Sequence, residues 1–240
     1  MITIESNKAK RNRMLAVLLI GAFTMLLTET FFNNALPTII KTFAVSQSTA
    51  QWVSTGYQLV AGLMIPISAW VFHRFNTQRT FLTLAVVFLV GCLFGFFATN
   101  FWWLLAGRLI QAVAAGSMIP LIQNVVLVLY PEKSRGTVMG VIGLVVAFGP
   151  ALGPTVGGWV IDTWGLAWLS GVLIPLVIIL IVAAVMWVRP VMTPENVQVD
   201  WLSITESSVG FAALLYSFSM MGNVGGISTG SILWLSLIHI

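Results

Sequence analysis

The chain has 240 residues, of which 58% are hydrophobic and 8% charged, and its mean hydropathy is +0.98. Soluble domains carry about a quarter of their residues as charges, so this composition excludes a water-soluble fold and places the chain in a bilayer. The formal net charge of +4 does not indicate a nucleic-acid partner, because the cations fall at the ends of apolar runs rather than on one soluble face.

A bilayer core of about 30 Å takes about 20 apolar residues per helix. Six runs meet that need: Met14–Phe32, Trp52–Phe72, Phe81–Ala98, Trp102–Leu129, Val138–Ile161 and Trp168–Val188. A seventh runs from about Ile204 to Met221. Every backbone polar group must be satisfied within lipid, and the runs lack the alternation of barrel strands, so the expected fold is an all-α polytopic bundle. The expected organisation is a polar segment over 1–13, a six-helix bundle over 14–188, a loop over 189–203, and a seventh helix with the start of an eighth over 204–240. The last apolar run, Ile232–Ile240, is too short to span, and the chain reads as the amino-terminal part of a longer protein. The first run follows positive charges as a signal peptide would. It is too long for one, and no small-residue cleavage site follows, so it is expected to stay in the mature protein.

Orientation follows the cations. Lys8, Lys10, Arg11 and Arg13 precede helix one, Arg74 and Arg79 lie between helices two and three, Lys133 and Arg135 between four and five, and Arg189 after six. If each run crosses once, all these share one side and only Lys41 lies on the other. The amino terminus is therefore expected in the cytoplasm of a multi-pass cell-membrane protein. Trp52, Trp102, Trp103, Trp159, Trp164 and Trp168 map to one interface, and Trp70, Trp187 and Trp201 to the other. In the loops, Ser48-x-x-Gln51 is expected to form a capping box that starts helix two at Trp52, and Pro37 to end or bend helix one. Pro131 and Gly136 bracket the turn after helix four.

Three ionisable side chains fall within or near the hydrocarbon region: Glu29, Arg108 and, at the cytoplasmic edge, Glu206. At 1.5 Å per residue, Glu29 sits roughly 22 Å along helix one from the inside and Arg108 roughly 10 Å into helix four from the outside. Across about 30 Å of core those depths nearly coincide. They are candidates for a buried pair, or for two charges facing one polar cavity. A permanent ion pair would merely order the helices, whereas a carboxylate beside a fixed cation can take up and release a proton. Glu206 reads as an interfacial group. Asn33, Asn34, Gln111, Gln123 and Asn124 can line a substrate cavity or serve as interhelical glue. Cys92 is the only cysteine and His73 and His239 are the only histidines, so disulfides, metal spacings and paired catalytic groups are not expected. No cofactor and no enzyme activity are expected.

Helix five carries Gly140-x8-Gly149-x3-Gly153-Pro154-x2-Gly157-Gly158. Gly149, Gly153 and Gly157 recur every four residues and form one stripe that admits a neighbouring backbone, while Pro150 and Pro154 add backbone defects. Alone, this is a small-residue packing face. Position for position it resembles the fifth-helix antiporter motif of the major facilitator superfamily. Thr30-Phe31-Phe32-Asn33-Asn34-Ala35-Leu36-Pro37 resembles the helix-one signature T-x-x-N-x-A-L-P of the fourteen-helix drug:proton antiporters of EmrB/QacA type. Arg108-Leu109-Ile110-Gln111-Ala112-Val113-Ala114-Ala115-Gly116 resembles the helix-four R-x-x-Q-G-x-G motif. Asp200-Trp201 is similar to the lead-in of that family's extra helix pair. The family often has aspartate where this chain has Thr28, and the displaced Glu29 looks like the lincomycin-type branch. In the loop between helices two and three, Ala69-Trp70-Val71-Phe72-His73-Arg74-Phe75-Asn76-Thr77-Gln78 keeps only Arg74 of the usual charged set.

The resemblance implies a secondary transporter that exports drug-like apolar or cationic compounds against proton entry, with two halves rocking about a central site. Glu29 would be the proton-responsive carboxylate and Arg108 the group that biases its charge. The implied partners are a small-molecule substrate, protons, the lipid bilayer and a carboxy-terminal half. An exporter dedicated to one metabolite, lipid or peptide fits the same residues. A membrane enzyme or sensor lacks the catalytic pairs or soluble domain it would need.

Overall fold

A computed structural model describes residues 7–192 and 201–224. These fold as helices: α1 Lys8–Phe43, α2 Gln47–Arg74, α3 Thr77–Phe96, α4 Phe101–Leu129, α5 Glu132–Trp164, α6 Trp168–Trp187 and α7 Trp201–Val224. α6 comprises a first turn, Trp168–Gly171, and a main segment, Leu173–Trp187, joined at Val172. Helices α1 to α6 are long and apolar enough to cross a membrane. α7 is not among these six, because Thr205, Glu206 and three serines between 203 and 208 dilute its apolar run. The expected seventh helix is present as α7. Residues Asp200, Ile232–Ile240 and His239 lie outside the described residues.

Helix starts follow cap chemistry more than hydrophobicity. Asn7 Oδ1 accepts from the amides of Ala9 and Lys10, at 3.1 and 3.2 Å. Asn76 Oδ1 accepts from Arg79 N at 2.9 Å, and Asn100 Oδ1 from Trp103 N at 2.9 Å. Each satisfies amides that an α-helix leaves orphaned at its first turn. Ser46 caps α2 by accepting from Thr49 N at 3.2 Å, which displaces the expected Ser48 box by two residues. Pro37 lies inside α1 and does not end it. The helix stops at Ala44, which takes the left-handed conformation with φ 50°. Gly136 likewise falls within α5, which begins directly after Pro131.

α1 packs along α5 and also meets α2, α4 and α6. α3 packs on α4 and α6, and α2 on α4. Polar ties show which ends lie together. Arg11 lies over the Tyr130 ring, 4.3 Å from its centroid, and Tyr130 donates its hydroxyl to Asn12 Oδ1 at 3.3 Å. Gln78 Nε2 donates to Val185 O at 3.3 Å, and Met192 N donates to Thr77 Oγ1 at 3.4 Å. The start of α1, the end of α4, the start of α3 and the end of α6 therefore share one end of the bundle, where Lys8, Lys10, Arg13, Arg79, Lys133, Arg135 and Arg189 also attach. Burial pushes the Tyr130 phenol up, and the neighbouring Arg11 cation opposes that shift. Arg135 donates to the carbonyls of Leu127 at 2.9 Å and Tyr130 at 3.0 Å, covering the exposed negative end of α4. At the other end, Trp159 meets Trp164 edge-on at 5.0 Å, and Trp164 lies 5.8 Å from Trp168.

Glycines set the closest approaches. A Cβ on Gly91 would lie 2.7 Å from Gly107 O, and one on Gly107 would lie 2.9 Å from Gly91 O, so α3 and α4 touch backbone to backbone. Gly116 meets the backbone of Ala61 in the same way, its Cβ falling 2.7 Å from Ala61 Cα. The α5 stripe faces α1. A Cβ on Gly149 would meet Leu26 Cβ at 3.1 Å, one on Gly157 would meet Phe31 Cα at 3.2 Å, and one on Gly153 would collide with Thr30 Oγ1 and Cβ.

Candidate functional site

Arg108 occupies the second turn of α4 and is 1% exposed. A lone guanidinium within a membrane-span helix is costly, and the surroundings compensate for it in two ways. Its carbon lies 4.0 Å from the centroid of the Tyr57 ring on α2 and 4.4 Å from that of Phe32 on α1, so two aromatic faces sandwich the cation. Nη1 donates to Gln111 Oε1 at 2.8 Å, one turn further along the same helix. Gln111 is held in turn, since its Nε2 donates to Cys92 Sγ on α3 at 3.3 Å. Nε and Nη2 are buried without a hydrogen-bond partner.

Glu29 is half-buried on α1. It forms no ion pair with Arg108, contrary to one of the two arrangements the depth argument allowed. Its Oε1 accepts from Gln58 Nε2 on α2 at 3.2 Å. The pair is neighbouring but unjoined. Thr28, at the position where an aspartate is often found, is fully buried and donates its hydroxyl to Met25 O at 2.7 Å. Back-bonding of this kind satisfies the hydroxyl within its own helix.

The amides divide. Asn33 and Asn34 on α1, and Gln123 and Asn124 on α4, are exposed. Asn124 Nδ2 donates to Pro120 O at 3.0 Å. Gln111 is fully buried, and its amide is spent on Arg108 and Cys92, which separates it from any cavity wall. On α5, Gly149, Gly153 and Gly157 are buried against α1, whereas an added Cβ at Gly140 or Gly158 would meet nothing within 4 Å. Pro154 lies on the exposed face. The motif is thus split between a packing stripe and an outward face. Glu206 on α7 is half-buried, and Arg74 and His73 at the end of α2 are exposed and engaged in polar interactions.

Sequence reasoning missed Tyr57, Phe32 and Gln58. Tyr57-Gln58 is a polar pair inside an apolar helix, which is a usable signal. Nothing local marks Phe32 as the other half of a cation clamp.

The model of the Major Facilitator Superfamily matches residues 18–239, nearly the whole chain. The chain belongs to the Major Facilitator Superfamily. Among its relatives, the MFS-type transporter YcnB of Bacillus subtilis is 38% identical over 227 residues, covering 95% of this chain and 48% of the relative. The lincomycin resistance protein LmrB of Listeria monocytogenes is 33% identical over 236 residues, covering 93% and 50%. The human organic anion transporter MFSD10 (TETRAN) superposes with a TM-score of 0.69 at 16% identity, over 88% of this chain and 56% of that one, and this likeness concerns the fold. The chain spans about half the length of the curated relatives it matches. As a superfamily member with six helices long and apolar enough to cross a membrane, it is a multi-pass membrane chain.

Proposed function

We propose that the transporter containing this chain exports drug-like apolar or cationic compounds by proton antiport, with Glu29 as the proton-carrying group and its amino terminus in the cytoplasm of the cell membrane. One observation carries the reading: a half-buried carboxylate on a membrane-span helix has a neutral amide as its partner, while the buried arginine of α4 is held by two aromatic rings and Gln111 and forms no ion pair with it. A permanently paired carboxylate would have little reason to exchange protons, whereas this one has a neutral amide as its partner. Similarity to lincomycin resistance protein LmrB supports drug-like cargo. Asn33, Asn34, Gln123 and Asn124 supply hydrogen-bonding groups on exposed faces of α1 and α4, where substrate and a second half would meet them. The glycine stripe of α5 lets α1 and α5 pack closely along one seam.

The test is Glu29→Gln in the complete transporter, reconstituted in vesicles with an imposed pH gradient. The substitution removes the charge change and keeps shape and hydrogen-bonding capacity. Gradient-driven accumulation is expected to stop while substrate binding survives and loses its dependence on pH. Undiminished coupled export would remove Glu29 from the mechanism.

A further inference from the structure

The two partners available to the Glu29 carboxyl differ in chemistry. Gln58 Nε2 already donates to Glu29 Oε1 at 3.2 Å, and the same amide carries an acceptor oxygen, Oε1. A carboxamide therefore matches a protonated carboxyl, which needs one donor for its carbonyl oxygen and one acceptor for its hydroxyl. Arg108 offers donors only. Gln111 takes Nη1, and the guanidinium carbon lies over the rings of Tyr57 and Phe32. What is left is Nε and Nη2, both buried and both without a partner. These two N–H groups lie on one edge of the guanidinium and point in parallel, the arrangement that binds an ionised carboxylate with two hydrogen bonds.

We propose that Gln58 is the seat of the protonated Glu29 carboxyl and that the Nε–Nη2 edge of Arg108 is the seat of the ionised one. In the structure the carboxyl accepts from Gln58 and not from Arg108. The inference rests on the proton-antiport reading above and adds to it a second residue and a second position. Both Arg108 nitrogens are closed off here, so filling the edge requires α1 to shift against α4. Loss of the proton would then favour a different packing of the helices, which links protonation to conformation.

Among the described residues the other ionisable groups near the site are few. Arg108 and Tyr57 stand on α4 and α2, Cys92 on α3 is engaged by Gln111, and α7, which packs on α2, carries Glu206 and Tyr216. The α5 segment Gly149–Gly157 and all of α6 contain no ionisable residue. Elsewhere on α1 the cations lie at its two ends, at Lys8, Lys10, Arg11 and Arg13 and at Lys41.

The test uses the complete purified transporter and two readings: the pH midpoint of transport, and the infrared carbonyl band of the protonated carboxyl, assigned by its disappearance in Glu29→Gln. Gln58→Met removes a hydrogen-bonding partner from the acid form alone. The proton affinity should fall by about 3- to 10-fold, moving the midpoint down by about 0.5 to 1 pH unit, and the carbonyl band should move to the position of an unbonded acid. Gln58→Leu, at the same exposed position, should repeat both changes. An unmoved or raised midpoint, or an unmoved band, overturns the two-seat assignment. If Glu29→Gln retains coupled export, the antiport reading itself fails. If Glu29→Gln abolishes coupling and Gln58→Met leaves midpoint and band in place, only the two-seat assignment fails.

Discussion

Alanine placed at different glycines of α5 should change stability with opposite signs. Gly→Ala inside a helix gains up to about 1 kcal/mol from backbone propensity wherever the new methyl has room. Gly158 and Gly140 have such room, since nothing lies within 4 Å of the added carbon. At Gly153 the methyl would occupy the place of Thr30 Oγ1 and Cβ. Thr30 would have to give up its hydrogen bond to Leu27 O at 2.9 Å or push α1 away, and overpacking of this kind costs about 1–3 kcal/mol. The propensity gain offsets part of that, leaving a net loss of up to about 2 kcal/mol. Gly149 is a gentler case, because the contact is Leu26 Cβ at 3.1 Å and a few tenths of an ångström relieve it. The assay is thermal unfolding of the detergent-solubilised transporter, followed by loss of the monodisperse peak. At about 1–2 °C per kcal/mol for a transporter of about twice this chain's length, Gly153→Ala should melt measurably below the parent, and Gly158→Ala and Gly140→Ala at or slightly above it. Equal melting for Gly153→Ala and Gly158→Ala would refute the packing of this stripe on α1.

The remaining predictions touch other parts of the molecule. Gly157→Leu should abolish efflux while the protein still reaches the membrane, because a side chain there meets Phe31 Cα at 3.2 Å; full transport in that variant would show that the stripe does not need the contact. Arg108→Lys keeps the charge but loses the planar face between Tyr57 and Phe32, and should lower stability by about 1–3 kcal/mol; a melting temperature equal to the parent would contradict the sandwich. Cysteines introduced at Ser46 and Gly165 should react with impermeant reagents added to intact cells, and one at Ser134 should not. The reverse pattern would invert the proposed orientation.

The bundle was legible in the sequence because apolar length is a direct physical requirement of the bilayer. Helix ends were less so. The runs mark where lipid begins, while hydrogen-bonding side chains such as Asn7 and Ser46 mark where the helix begins, and these differ by several residues. Pro37 shows the same gap, because a proline in a long membrane helix is tolerated once packing holds both sides of it. For the site, depth counting brought Glu29 and Arg108 to one level but could not give the azimuth of either side chain. Contact between helices decides that, and here it turned Glu29 toward Gln58 and wrapped Arg108 in two aromatic rings. The glycine stripe was readable as a stripe, and its partner helix was not, since spacing within α5 says nothing about which neighbour it meets.

The backbone contact between Gly91 and Gly107 has an electrical consequence. It lies one residue from Cys92 and one from Arg108, and the Gln111–Cys92 hydrogen bond spans the same joint. α3 and α4 are thereby welded at the level of the guanidinium, and the arginine is anchored to both. Under a transmembrane voltage, which acts on each unit charge with about 2.3 kcal/mol per 100 mV across the full membrane, an anchored cation contributes a static field and no displacement current. In the proposed mechanism, the charge that travels between α3–α4 and the rest of the bundle is the one carried by Glu29 on α1. Fast capacitive currents recorded from transporter-loaded membranes after a pH jump would accordingly have the sign of a moving carboxylate, and they would vanish with Glu29→Gln while the arginine stays in place.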